Sequence, residues 1–184
     1  LGPTSLQVDK DIEVPSNTFA TTQHRFRLEV FADGLDPLPY AIAPLPDGSV
    51  LLSEKTQGLS IVRPDNTRYP IRGGPPTYAD DLNFNSIALG LGWYLDVALH
   101  PDYERNGWIY LHYSDRCEDA CNRLSRLSPL PVAMNRVERG RVRNGEWVDR
   151  ETIWQADLET YNSTPDIIAG GRLAFDGDGH VFLS

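Results

Sequence analysis

The 184-residue chain sets 17 Lys and Arg against 26 Asp and Glu, a formal net charge of -9 that repels both a phosphate backbone and an anionic membrane surface. Apolar residues make up 40% and charged residues 23%, too apolar for a disordered chain, so one packed domain or at most two is expected. No window approaches the roughly 18 consecutive apolar residues that a membrane-spanning helix requires, because the most apolar stretch, residues 87–99, is broken by Gly90, Gly92 and Asp96.

Residues 1–25 mix Pro, Ser, Thr and Asn without a sustained period and read as an N-terminal arm. Residues 26–184 then carry short β-rich runs. Residues 26–32 (FRLEVFA) alternate apolar and polar, as a half-buried strand does. Residues 41–45 lead through Pro46-Asp47-Gly48, a turn signal, into residues 49–53 (SVLLS), which predicts a hairpin. A strand follows at 59–63. Residues 95–114 (LDVALHPDYERNGWIYLHYS) repeat the hairpin with an enlarged turn, and strands are expected at 133–142 and 146–154. The basic run 136–143 (RVERGRVR) reads as a strand with one wet face rather than a nucleic-acid patch. Residues 172–184 (RLAFDGDGHVFLS) give the hairpin a third time, with Asp176-Gly177-Asp178-Gly179 read as its tight turn rather than as a calcium loop.

No segment shows a helical stripe of ten residues, so the class is all-β. Each repeated hairpin has the form of the two inner strands of a four-stranded blade. The expected architecture is an incomplete β-propeller, two blades and the start of a third, belonging to a longer polypeptide; a smaller self-contained β-sandwich is the alternative. Cys117 and Cys121 (CEDAC) lie close enough for a loop disulfide in an oxidising compartment. Free thiols are the other reading, and a metal pair is disfavoured because no neighbouring ligand completes a tetrahedral set.

Three stretches resemble the glucose/sorbosone dehydrogenase family, the soluble quinone-dependent aldose dehydrogenases: residues 45–59 (LPDGSVLLSEKTQGL), 90–114 (GLGWYLDVALHPDYERNGWIYLHYS) and 170–183 (GGRLAFDGDGHVFL). The resemblance implies a six-bladed propeller holding pyrroloquinoline quinone (PQQ) and calcium, a small-molecule sugar substrate, and a periplasmic or secreted location. It further implies a catalytic His that takes the proton of the anomeric hydroxyl while hydride passes to the quinone. The position of the family's cofactor-contacting Gln falls on Leu91, and that of its catalytic His on Ile168. Asp96 and Arg172 are retained and are the candidate cofactor-binding residues. Asp96 is also read as a structural hydrogen-bond acceptor, and Arg172 as a bridge to carbonyls between blades. The principal anchors of the quinone and its calcium are expected beyond Ser184, so that this segment alone binds neither and is inactive.

Asp166, two residues before Ile168, reads either as a substitute base, if desolvated, or as a solvent-facing Pro-Asp turn. Trp93 and Tyr94 read as a platform for a sugar face or as packing between blades. His24, His100, His112 and His180 read as structural or surface residues. Three functions follow: a quinone-dependent oxidoreductase acting on an aldose or related alcohol; a propeller that kept the scaffold, lost the chemistry and binds carbohydrate or protein; and a different reaction on the same fold, such as lactone hydrolysis with calcium.

Overall fold

The structure, a computed structural model, describes residues 18–35, 38–79, 82–84, 87–117, 131–164 and 170–184. A short hairpin, β1 (Phe19–Ala20) and β2 (Arg25–Phe26), precedes the first large sheet and straddles the boundary drawn at residue 25. That sheet contains β3 (Pro39–Pro44), β4 (Val50–Glu54), β5 (Gly58–Val62) and β6 (Arg68–Pro70), antiparallel in chain order. A ribbon of β7 (Leu82–Phe84) and β8 (Ile87–Leu89) follows. The second large sheet is β9 (Tyr94–Leu99), β10 (Ile109–Cys117), β11 (Val132–Arg143) and β12 (Glu146–Gln155), again in chain order. The third hairpin is β13 (Leu173–Phe175) with β14 (Val181–Leu183).

Local chemistry sets the turns. At Pro46-Asp47-Gly48 the Asp47 carboxylate accepts from the Ser49 amide at 3.0 Å and the Ser49 hydroxyl at 2.5 Å, and those bonds hold its pKa below the usual carboxylate value. In the second repeat the enlarged turn is one helical turn, α1 (Tyr103–Asn106), closed by Gly107 at φ 68°, whose amide donates to the Tyr103 carbonyl.

The first strands of the sheets approach one another, β3 beside β9 and β9 beside β13. The sheets therefore fan from a common axis as propeller blades, rather than stacking as the two layers of a sandwich. Strand alternation supplies both faces of the second blade. Ile109, Leu111 and Tyr113 join Tyr94, Val97 and Trp147 in a core against Ala41, Ala43, Leu51 and Leu59 of the first blade. Tyr110 faces the other way, packing with Val137 against Leu173 of the third hairpin. Each of the two full blades buries a carboxylate held by an arginine of its own sheet, and the second blade buries Asp96 besides. Glu54 is bound by Arg68, and Glu138 accepts two bonds from Arg150 (2.8 and 3.0 Å) and one from the Trp147 indole (2.8 Å).

One expected strand is corrected. Only Arg25–Phe26 of the stretch 26–32 and its approach is paired, and Phe26, Leu28, Val30 and Phe31 are exposed. Alternation specifies two faces, but a strand also needs a neighbour for its ladder, and none lies beside residues 27–32 among the described residues. The basic run 136–143 does lie on β11, where Arg136, Arg139, Arg141 and Arg143 pair with Asp115, Glu151 and Asp149.

Candidate functional site

The N-terminal ends of β3, β9 and β13 meet at one end of the axis. From β3 comes Tyr40, from the residue after β4 comes Lys55, from the residue before β9 comes Trp93, and from the residue before β13 comes Arg172. They form a row in which cations and rings alternate. The Lys55 ammonium lies 4.7 Å from the Trp93 ring centroid and 5.2 Å from that of Tyr40, and the Arg172 guanidinium carbon lies 4.7 Å from the Tyr40 ring centroid. The Tyr40 hydroxyl donates to the Gly171 carbonyl at 3.3 Å, which ties the first blade to the third hairpin.

Asp96 is the acid of this cluster. One oxygen accepts from Arg172 Nη1 at 3.1 Å and the other from the Leu173 amide at 2.6 Å, with the side chain 9% exposed. Both oxygens are thus engaged in fixing the GGRL segment. A cleft of about 370 Å³ opens beside them, lined by Tyr40, Ala41, Ile42, Val97 and Leu173 as well as by the Asp96–Arg172 pair.

Behind the cleft, His112 on β10 is fully buried, and neither ring nitrogen meets a hydrogen-bond partner at normal geometry among the described residues. Burial pushes its pKa below the ordinary imidazole value, and Asn135 and the Asp96 charge oppose that shift. Gly171 lies on this ring: a Cβ there would come 2.5 Å from His112 Cε1, and the residue sits at φ 138°. Both constraints require glycine at this place. Gly90 is fixed by a similar approach, since a Cβ there would overlap the Trp93 indole.

The sequence-predicted residues divide accordingly. Asp96 and Arg172 come together as an ion pair across the seam between blades. Leu91 is buried at 2% exposure and offers no hydrogen bond. Trp93 is buried too, with its indole nitrogen donating to the Tyr78 carbonyl at 3.2 Å. Tyr94 is a core residue between the blades, donating to the Pro75 carbonyl at 2.7 Å; burial, then the Glu138 charge, drive its pKa far above that of a free phenol. Asp166 and Ile168 lie outside the described residues. Cys117 is disulfide-bonded, and Cys121, the other cysteine of the chain, lies outside the described residues.

Of the remaining histidines, His100 accepts from the Asp102 amide and stands 5.8 Å from the Phe175 ring, and His180 bonds Asp176 within the third hairpin. Asp176, Asp178 and His180 bring three potential ligand atoms within 4.8 Å of one another, but Asp176 accepts from both neighbouring amides as the closing bond of a turn. Tyr40, Lys55 and His112 were not singled out as site residues from sequence. The available signal was positional: Tyr40 and Lys55 flank the first hairpin at the end where Trp93 flanks the second and Arg172 the third.

Residues 37–184 match the family model described as Glucose / Sorbosone dehydrogenase. The chain is 29% identical over 171 residues to the aldose sugar dehydrogenase YliI of Escherichia coli (strain K12), covering 85% of this chain and 37% of that protein. The crystal structure of the soluble aldose sugar dehydrogenase from Escherichia coli in its apo-form superposes with a TM-score of 0.60 at 30% identity, over 85% of this chain and 39% of that one. The PQQ-bound aldose sugar dehydrogenase from Streptomyces coelicolor superposes with a TM-score of 0.53 at 18% identity, over 91% and 42% of the two chains, a likeness of fold. The chain thus spans about two fifths of the length of these relatives.

Proposed function

The chain belongs to the glucose/sorbosone dehydrogenase family, and from this premise we propose that it forms the opening blades of a quinone-dependent oxidoreductase acting on the CH–OH group of an aldose or related sugar. The observation that carries the reading is the row Trp93–Lys55–Tyr40–Arg172, gathered from three blades at the end of the axis where their first strands begin. PQQ is planar and polycarboxylated, so a site for it calls for cations interleaved with flat side chains. The row is such a donor set, and Lys55 between its two rings is the residue that would hold a carboxylate of the quinone. When bound, that group supplies the acceptor for the hydride of the sugar carbon.

The chain's own residues orient and exclude water. Asp96 locks Arg172 and the Leu173 amide, fixing one wall of the cleft. Leu91 contributes an apolar buried surface in place of a hydrogen-bonding one. Because both oxygens of Asp96 are engaged, the proton of the sugar hydroxyl needs another acceptor, and Asp166 is the residue proposed for it. Export to the periplasm or outside the cell, with calcium as a further cofactor of the whole protein, is part of this proposal and rests on the resemblance of motifs.

The test uses the full-length protein with added PQQ and calcium. A bound-cofactor absorbance and sugar-dependent dye reduction, with the latter lost in Asp166→Asn, are the expected results. If neither signal appears, and Leu91→Gln together with Ile168→His restores neither, the dehydrogenase reading is wrong. The buried aliphatic Leu91 where the family has Gln favours the second reading, a carbohydrate- or protein-binding propeller without turnover.

A further inference from the structure

We propose that the cleft beside Arg172 recognises the carboxylate of an acidic sugar, so that the substrate class is a uronic acid rather than a neutral aldose. The proposal rests on the reading of this cleft as the carbohydrate side of the site and narrows it.

Arg172 is held at two points. Its Nη1 donates to Asp96 at 3.1 Å, and its guanidinium lies over the Tyr40 ring, which is itself anchored through its hydroxyl to the Gly171 carbonyl at 3.3 Å. A guanidinium fixed in this way has lost its rotational freedom before any ligand arrives. What remains is the edge formed by Nε and Nη2, which has no partner among the described residues and belongs to a side chain 61% exposed. That edge carries two parallel N–H donors, the geometry that matches the two oxygens of a carboxylate.

The surroundings select the same ligand. The carboxylate lining the cleft, Asp96, has one oxygen bonded to Arg172 and the other to the Leu173 amide, so its charge is paired with the guanidinium that it orients. The remaining lining comes from Tyr40, Ala41, Ile42, Val97 and Leu173, and the surface that they leave open is more polar than apolar, in a cleft of about 370 Å³ that suits a small hydroxylated ligand. A neutral aldose would leave the charged edge facing only hydroxyls. On a chain of net charge -9, an oriented cationic edge is also what lets an anionic ligand approach.

The experiment measures binding of D-glucuronate and D-galacturonate against D-glucose and D-galactose to the full-length protein by calorimetry, without added quinone. The expected result is a preference for each uronate of at least about tenfold, the scale of a charge-assisted pair. R172Q should abolish the preference. R172K, which keeps the charge and the ion pair with Asp96 but not the two-point edge, should lose most of it and serves as the deciding variant if R172Q does not fold. Equal binding of uronate and parent aldose, or a preference that survives in both variants, overturns the proposal. A separate titration of both variants with PQQ completes the test: loss of PQQ affinity with uronate binding unchanged also overturns the proposal, because the carboxylate held by Arg172 would then be the quinone's. A uronate preference without dye reduction leaves this inference standing and removes the dehydrogenase; dye reduction of neutral aldoses with no uronate preference does the reverse.

Discussion

Asp96 accepts the Leu173 amide at 2.6 Å across the seam between the second blade and the third hairpin, and the neighbouring Arg172 closes the same carboxylate from outside at 3.1 Å. One side chain therefore satisfies a buried backbone donor and orients the cation of the cleft. The residues that fix the fold here are the ones that build the site.

Replacing Asp96 separates these two roles. Asp96→Asn keeps a carbonyl for the Leu173 amide and should cost less than about 1 kcal/mol of stability, because the Arg172 partner is largely exposed. Asp96→Ala leaves a buried N–H unsatisfied and should cost roughly 2 kcal/mol. Urea unfolding of both variants checks the order, and equal losses would show that the amide bond contributes nothing.

Glu138 is a second point of fragility. With Arg150 on one side and the Trp147 indole on the other, its carboxylate is satisfied although only 3% exposed. Glu138→Ala should destabilise by about 2–3 kcal/mol, below the range of a fully buried pair because Arg150 is partly exposed. The double variant Glu138→Leu with Arg150→Met should recover most of that loss. Thermal melts of the single and double variants decide it.

His112 gives the protein an acid-sensitive seam. Its folded-state pKa is lowered, chiefly by burial, so the unfolded chain binds the proton more readily than the folded one. The stability it contributes is complete above the unfolded imidazole value of about 6.5 and is lost as pH falls below it toward the lowered folded value, by up to about 1.4 kcal/mol per pH unit. His112→Leu should flatten that part of the stability profile between pH 7 and 5. An unchanged slope would locate the acid sensitivity elsewhere.

Gly171 and His112 should be energetically coupled. Gly171→Ala places a methyl against the imidazole at a positive φ and should cost about 2 kcal/mol or more. In a His112→Ala background the part due to the ring should disappear, while the part due to the positive φ and to the Ser184 carbonyl, 2.9 Å from the added methyl, should remain. A double-mutant cycle with no coupling would mean that the ring moves aside freely.

Much of the scaffold was legible because its signals are local. The turn at Pro46-Asp47-Gly48 and the alternation of Ile109, Leu111 and Tyr113 specify hairpins wherever they occur. Residues 27–32 show the limit: their alternation is that of a strand, but the partner that would make it one is not encoded in the segment itself. The Asp96–Arg172 pair was reachable through family motifs. The row Trp93–Lys55–Tyr40–Arg172 was not, since its members are distant along the chain and only the radial packing of blades brings them together. The burial of Glu54 and Glu138 was likewise hidden, because a carboxylate on a strand reads as solvent-facing until its Arg is known to lie beside it.

The two full blades are also stitched at their outer edges, where the Arg72 amide donates to the Gly145 carbonyl at 2.9 Å and the Trp147 amide to the Arg72 carbonyl at 2.7 Å. The third hairpin meets the second blade through Asp96 and a small apolar cluster. The bonds at Arg72 continue one blade's ladder into the next, so the amides on either side of Arg72 should exchange deuterium together, as one cooperative unit.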